Sequence, residues 1–433
     1  MKFYSTNSPS LKVDLRQAVT QGLAPDNGLY MPEAIPKLED SFYRSIERKS
    51  LQEIGITVAT AMVGDAVPAD ELARIVKHTI QFDAPVVEIE DNVYAMELFH
   101  GPTLAFKDFG ARFMSQLLGY FAKEQKQEIV ILVATSGDTG SAVANGFLGI
   151  AGTRVVVLYP SGKVSEIQEK QFTTLGQNIT ALEIDGTFDD CQKLVKESFL
   201  DDTLRGKFFL TSANSINIAR LIPQSFYYFY GYAQLKQKNK PVSFCVPSGN
   251  FGNLTGGLLA KRMGLPIGRF IAATNSNDVV PEFLKTRQYT PRPSMSTISN
   301  AMDVGNPSNV ARILDLFHGD IDAIRAEIES YSFTDEETRQ AMRKIYNERK
   351  YVMDPHGAVG YLGLKKFMRD SGPVSGVFLE TAHPAKFKDV VDETLGINLE
   401  IPVPLQKFMR SEKTTIRMGK EFQELKDLLL SAF

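Results

Sequence analysis

Glu128-Ile129-Val130-Ile131-Leu132-Val133-Ala134-Thr135-Ser136-Gly137-Asp138-Thr139-Gly140-Ser141-Ala142 is the stretch on which the fold turns. An Ile- and Val-rich run of strand length ends in a glycine-containing turn of small polar residues, and a helical pattern carries on to residue 150. The next β-branched run, at 154–159, completes a strand–helix–strand unit. A strand that is apolar on both faces needs helices on both sides, so the unit predicts a parallel sheet in an α/β architecture. Ligands of such sheets bind beyond the carboxyl ends of the strands. The polar turns that directly follow strands are therefore where chemistry is expected.

The alternation extends outward. Upstream, residues 93–99 read as a strand and 105–126 as a helix. Downstream come a helix at 166–175, a strand at 179–184, a helix at 189–200, a strand at 207–211 and a long helix at 216–235. Strands follow at 242–246, 270–274 and 376–380. The first 92 residues differ in texture. A helical pattern at 11–23 runs into the turn Ala24-Pro25-Asp26-Asn27-Gly28, and amphipathic helices are expected at 41–56 and 69–79. The expected architecture is α/β, with parallel βαβ sheets in two domains (93–237 and 238–433) behind a mostly helical N-terminal domain (1–92).

Composition narrows the function. Of 433 residues, 48 are basic and 51 acidic, a net charge of -3 that gives no electrostatic case for nucleic acid or an anionic membrane. No apolar stretch reaches membrane-spanning length, and Met1 to Asn7 contains no apolar run of the secretory type. The two cysteines, Cys191 and Cys245, are expected as buried thiols, and the chain as a cytoplasmic protein. Neither H-E-x-x-H nor C-x-x-C occurs, so no metal site is expected. Neither G-x-G-x-x-G nor a P-loop occurs either, which disfavours dinucleotide and nucleoside triphosphate chemistry.

Four turns after strands stand out. In the first, Lys107 follows the apolar run Leu104-Ala105-Phe106 at the start of a helix, where desolvation would free its amine as a nucleophile. In the second, Ser136, Asp138 and Thr139 stand at a helix N-cap suited to an anion. In the third, Gly249, Asn250, Phe251, Gly252 and Asn253 form a glycine-rich nest of phosphate type. In the fourth, Thr381 ends a strand before His383-Pro384. Singly, each reads as an ordinary turn or cap. Together, a reactive amine, two anion-binding turns and a hydroxyl are the parts a pyridoxal 5'-phosphate site needs. His78 and His318 read as structural, and His356 in Asp354-Pro355-His356-Gly357 as bordering the site without a catalytic role.

These turns, with the leading segment Gly22-Leu23-Ala24-Pro25-Asp26-Asn27-Gly28-Leu29-Tyr30-Met31-Pro32, resemble the threonine synthase family of fold type II, tryptophan-synthase-like pyridoxal phosphate enzymes. The likeness runs from the first thirty residues to His383-Pro384-Ala385-Lys386-Phe387, and the leading domain is similar to the longer bacterial and fungal branch. The resemblance implies Lys107 as the Schiff-base lysine, in the 93–237 domain. It implies Gly249 to Asn253 as the cofactor-phosphate loop, in the 238–433 domain, and Thr381 opposite the pyridine nitrogen. Ser136, Asp138 and Thr139 would surround the substrate carboxylate and the cofactor's phenolic oxygen, Asp138 standing where the shorter branch has asparagine. Asn214, Ser215, Asn217 and Arg220 would grip the substrate phosphate, with Asn217 and Arg220 three apart on one helix face. The implied reaction turns O-phospho-L-homoserine and water into L-threonine and phosphate, Lys107 serving as general base, and the implied state is a monomer. Two alternatives stay open: a serine or threonine dehydratase, and a catalytically silent cofactor-binding relative.

Overall fold

The computed structural model describes residues 1–123 and 127–432. Strand Ile129–Ala134 is buried throughout, and helix Asp138–Phe147 leads from it to strand Thr153–Pro160. With three more strands these build a five-stranded sheet in the order Ile416–Met418, Ile179–Ile184, Thr153–Pro160, Ile129–Ala134, Phe209–Ser212, with parallel neighbours throughout. On one face Val130, Leu132, Val156 and Leu158 pack with Cys191 and Leu194 from helix Phe188–Leu200. A second sheet has six strands, in the order Ile328–Ser332, Ile267–Thr274, Val242–Pro247, Ser375–Glu380, Val93–Glu97, Val86–Glu90. Its pairs are parallel except the last, where Val86–Glu90 runs antiparallel.

Each sheet has one place where neighbouring strands send their connections in opposite directions. In the first, Ile129–Ala134 lies between Thr153–Pro160, which follows it in the chain, and Phe209–Ser212, which comes later. In the second, Val242–Pro247 lies between Ile267–Thr274 and Ser375–Glu380 in the same way. Such switch points open a crevice at the carboxyl ends of the strands. The turns picked out from sequence start there.

Packing groups Met1, Met31–Phe106 and Leu221–Glu400 into one unit, which holds the six-stranded sheet. The other unit comprises Lys2–Tyr30, Lys107–Arg220 and the residues from Ile401 onward, with the five-stranded sheet. This grouping cuts the first 92 residues in two. Helix Leu15–Gln21 packs on helix Lys107–Ala122, whereas Leu51–Val63 packs on Phe226–Leu235. The chain changes unit immediately before Lys107 and immediately after Arg220.

Several expected elements are corrected. The helix expected at 11–23 begins as strand Lys12–Asp14, antiparallel to Lys2–Ser5, because Asp14 caps helix Leu15–Gln21 through a reciprocal bond pair with Gln17. The leading segment is thus helical only after a small sheet. The helix expected at 41–56 is interrupted, with Ser50 capping Leu51–Val63. The long helix at 216–235 is broken into Ile218–Leu221, a 3-10 turn at Ile222–Ser225 and Phe226–Leu235, since Pro223 has no N–H to continue the ladder. The helix expected at 105–126 spans Lys107–Ala122, and Lys126 lies outside the described residues. Among the described residues no helix is long and apolar enough to cross a membrane.

Candidate active site

In the unit with the five-stranded sheet, Lys107 opens helix Lys107–Ala122 and is half-buried. Beside it in sequence, Asp108 is fully buried. Its carboxylate acts on two arginines of the same unit, Arg112 and Arg220. Arg220 is 2% exposed, and its Nη1 donates to Ala213 O. Burial pulls the Arg220 pKa down to about 10, and Asp108 opposes the shift. The guanidinium is therefore charged at neutral pH and desolvated, a strong partner for a phosphate.

Two turns leave the carboxyl ends of adjacent strands in this unit. After Ile129–Ala134, Thr135 Oγ1 accepts the N–H groups of Gly137 (2.9 Å) and Gly140 (2.8 Å). The N-cap is Gly137, at φ +135°, with no side-chain cap. A side chain there is strained, and its Cβ would stand 2.6 Å from Gln168 Oε1. Ser136 and Thr139 are half-buried beside it. The expected capping by Ser136, Asp138 and Thr139 is thus corrected: Thr135 holds the turn. Asp138 lies inside the first helical turn and accepts from Gln168 Nε2 at 2.8 Å.

After Phe209–Ser212, Asn214 Nδ2 donates to Ala134 O at 3.0 Å, which ties the two strand ends together. Ser215 is half-buried. Asn217 is different from its expectation. Its Nδ2 donates to Val19 O (2.8 Å) and Ser212 O (3.2 Å), and its Oδ1 accepts from Ala219 N (3.0 Å). The helix starts at Ile218, so Asn217 does not share a helix face with Arg220. Its backbone carbonyl receives the Arg220 N–H at 3.0 Å, and it fixes the Arg220 segment from behind.

In the other unit, helix Gly252–Arg262 starts at the carboxyl end of Val242–Pro247. Its N-cap is Phe251, held buried in the left-handed region at φ 60°. Such strain costs on the order of 1–3 kcal/mol and gathers at functional sites. Asn253 Nδ2 donates to Pro247 O at 2.8 Å, and Asn250 Oδ1 accepts from Ser308 N at 2.6 Å. Asn250 O accepts from Asn309 Nδ2, and Asn309 Oδ1 accepts from Arg312 Nη1 at 2.8 Å. The loop side chains thus brace the backbone, and the backbone amides of the loop and first helical turn are the donor set.

Next to that strand, Ser375–Glu380 ends at Thr381. Thr381 O accepts the N–H of Phe106 at 2.8 Å, and Ala105 bridges Ala382. The residue that precedes Lys107 is thereby stitched to the strand end that carries Thr381. Lys386 is fully buried and donates to Thr103 O at 3.0 Å, while burial drives the His383 pKa down to about 4. The donor sets fit pyridoxal phosphate: a lysine amine at a helix start, a nest of backbone amides for an anion, and a neutral hydroxyl.

Sequence reasoning missed Thr135, Gln168, Asp108, Asn309 and Arg312. Asp108 had a signal, since an acid next to Lys107 in an apolar run must find a cation. The bracing role of Arg312 had none, because it comes from about sixty residues downstream of the loop it supports.

Comparison with known proteins identifies the family. The family "Threonine synthase N terminus" matches residues 2–80, "Pyridoxal-phosphate dependent enzyme" matches 79–377, and "Threonine synthase, C-terminal" matches 357–429. Threonine synthase of Haemophilus influenzae is 45% identical over 433 residues, covering 100% of both chains. That of Saccharomyces cerevisiae is 35% identical over 457, covering 91% of this chain and 89% of the relative. The crystal structure of threonine synthase from Escherichia coli superposes with a TM-score of 0.94 at 43% identity, covering 100% of each chain. PLP-bound threonine synthase from Brucella melitensis gives 0.93 at 34%, covering 99% of this chain and 98% of that one. Maize serine racemase, at 16% identity and a TM-score of 0.54 over 79% and 96% of the two chains, shares the fold alone. The chain belongs to the threonine synthase family of pyridoxal-phosphate-dependent enzymes.

Proposed function

We propose that this chain catalyses γ-elimination of phosphate from O-phospho-L-homoserine and β-addition of water to give L-threonine, the reaction for which its relatives are named. The observation that carries the reading is Arg220: a desolvated, charged guanidinium at a strand-end turn, with a buried aspartate to balance it when no ligand is present. Pyridoxal phosphate, when bound, supplies an electron sink for charge that develops on the substrate carbons. Lys107 Nζ would hold the cofactor and would serve as the base that takes a proton from the substrate Cα and then one from Cβ. The amides of Gly249, Asn250, Phe251, Gly252 and Asn253 hold the cofactor phosphate. Thr381, a neutral hydroxyl, meets the pyridine nitrogen without protonating it, which disfavours transamination.

Asp138, oriented by Gln168, faces the cofactor's phenolic oxygen, with Ser136 and Thr139 at the substrate carboxylate. Asn214, Ser215 and Arg220 take the substrate phosphate, and Asn217 holds their segment in place. The enzyme acts in this reading as a cytoplasmic monomer on a small molecule, without nucleic acid. The two free, buried cysteines suit a reducing compartment. A dehydratase would offer Arg220 no dianion. The experiment is a visible absorption spectrum of the purified enzyme, then phosphate release from phosphohomoserine against keto-acid formation from serine. Keto acid without phosphate release sinks the reading.

A further inference from the structure

Asp354-Pro355-His356-Gly357 opens helix Pro355–Asp370, and the roles above use none of it. Asp354 is the N-cap, and its carboxylate accepts the backbone N–H of His356 (2.8 Å) and of Gly357 (3.3 Å). Proline follows in the first turn, where a missing N–H breaks no helical bond. Asp354 Oδ1 also lies 2.6 Å from His356 Nδ1, and His356 Nε2 lies 3.2 Å from the backbone nitrogen of Ala301. A backbone nitrogen only donates. Nε2 is therefore the bare acceptor, and the ring proton is on Nδ1, given to Asp354. The buried imidazole is a strut between a helix cap and the Ala301 backbone.

Ala301 in turn touches the loop. Ala301 O and Met302 Cα each stand 2.8 Å from where a Cβ on Gly249 would be, so this backbone is pressed against the loop's first glycine. Behind Asp354 is Glu380, the last strand residue before Thr381. Both acids are fully buried, and neither Glu380 oxygen has a hydrogen-bond partner among the described residues. Asp354 already receives three N–H groups, so it holds the negative charge. Two facing carboxyls in a dry interior cannot both ionise. The proton belongs on Glu380, whose O–H can then meet Asp354. Burial and the charges of Asp354 and Glu97 push the Glu380 carboxyl well above its ordinary range. Gly357 permits the approach, since a Cβ there would stand 2.1 Å from Glu380 Oε1. Around the pair, Glu97 is held by His100 (2.8 Å) and Tyr351 (3.0 Å), His383 and Lys386 stand nearby, and Asp303 acts on His356.

We propose that His356, set by Asp354 with a protonated Glu380 behind it, is a positioning residue for the cofactor-phosphate loop, fixing Ala301–Met302 against Gly249 and so the direction of the loop amides. The inference rests on the reading that this loop holds the cofactor phosphate.

The test is equilibrium affinity for pyridoxal phosphate and the 31P resonance of the bound cofactor, in H356N and H356Q. Asparagine can replace Nδ1 but leaves Ala301 N–H without an acceptor, whereas glutamine carries an oxygen to the Nε2 position. H356N is expected to raise the cofactor Kd about 5- to 100-fold and to move the 31P resonance. Its kcat at saturating cofactor stays within about 3-fold, because a positioning defect is repaired by occupancy. H356Q stays within about 2-fold in Kd, since it restores the acceptor. A parental Kd and resonance in H356N overturn the proposal, as does equal loss in both variants, the mark of a merely structural histidine. If H356N does not fold, Glu380→Leu carries the same expectation, and a parental Kd there overturns it. Gly249→Ala separates the two levels. Intact affinity in Gly249→Ala defeats the phosphate-loop reading itself, whereas affinity lost there but kept in H356N defeats only the role of His356.

Discussion

The two units place their functional turns by one rule and build them from different materials. In each, the turns leave the carboxyl ends of two adjacent parallel strands at the point where the connections diverge. The five-stranded unit then relies on charged side chains: Arg220 and Asp108, both buried, and Asp138 held by Gln168. The six-stranded unit relies on backbone amides, braced by Asn250, Asn253, Asn309 and His356. A guanidinium meets a departing dianion with full charge, and an internal aspartate offsets it once the anion has gone. A backbone nest has no side-chain entropy to lose, which suits a group that stays. In the proposed reading, the difference matches a departing substrate phosphate on one unit and the resident cofactor phosphate on the other.

Substitutions can break or sharpen this contrast. The largest effect is expected for Lys107→Ala, which in the proposed reading removes both the covalent anchor and the general base. Turnover should fall by at least ~10³-fold, with loss of the visible band, measured by phosphate release and absorbance. Full activity in that variant would end the assignment. Arg220→Ala should lower kcat/KM for phosphohomoserine about 100-fold, as expected for a lost charge-assisted contact. The cofactor Kd should stay put, because the nest belongs to the other unit. If cofactor affinity fell in parallel with kcat/KM, the division of labour would be wrong.

Asn217→Ala sharpens the correction made by the fold. Among the described residues its side chain bonds Val19, Ser212 and Ala219. Loss of those bonds strands buried backbone groups and should cost about 3 kcal/mol of stability, read by urea denaturation of the cofactor-loaded enzyme. KM for substrate should change less than about 2-fold at temperatures where the variant is folded. A large rise in KM with unchanged stability would return Asn217 to the substrate.

The pattern of what could be read in the sequence follows the same physics. Central strands such as Ile129–Ala134 and Val242–Pro247 are apolar on both faces and were legible. The edge strands Val86–Glu90, Ile328–Ser332 and Ile416–Met418 are half-solvated, carry charges, and gave no signal, whereas the edge strand Phe209–Ser212 is mostly buried and was legible. Of the site, the turns themselves were legible as glycine, lysine and hydroxyl residues after strands. The bracing was not. Arg312 to Asn309 to Asn250, and His356 to Ala301 to Gly249, join positions that only the tertiary fold brings together. Asn217 misled because an asparagine before a helix offers the same composition whether its amide faces a ligand or a carbonyl of Val19.

The smallest effect tests, through pH, whether the buried imidazole of His383, two residues from Thr381, stays neutral in the folded state. His383 Nδ1 accepts from Ala385 N at 3.1 Å, and burial lowers its folded pKa from 6.5 to about 4. Between those values the unfolded chain binds a proton that the folded chain refuses, so stability rises with pH across that window and falls as pH drops from 6.5 toward 4. Between pH 7 and pH 5 the loss attributable to this group is about 2 kcal/mol. Glu380 tilts the profile the other way. Its folded pKa is raised, so its contribution is complete below its ordinary value and fades as pH climbs through the folded one. The clean readout is therefore the difference between parent and His383→Asn, in which Glu380 is common to both and the asparagine oxygen still receives Ala385 N–H. Urea midpoints at pH 7 and pH 5 should separate less in the variant by roughly the amount above. Equal pH slopes in the two proteins would mean that His383 charges freely in the folded state and that its burial does not keep the imidazole neutral.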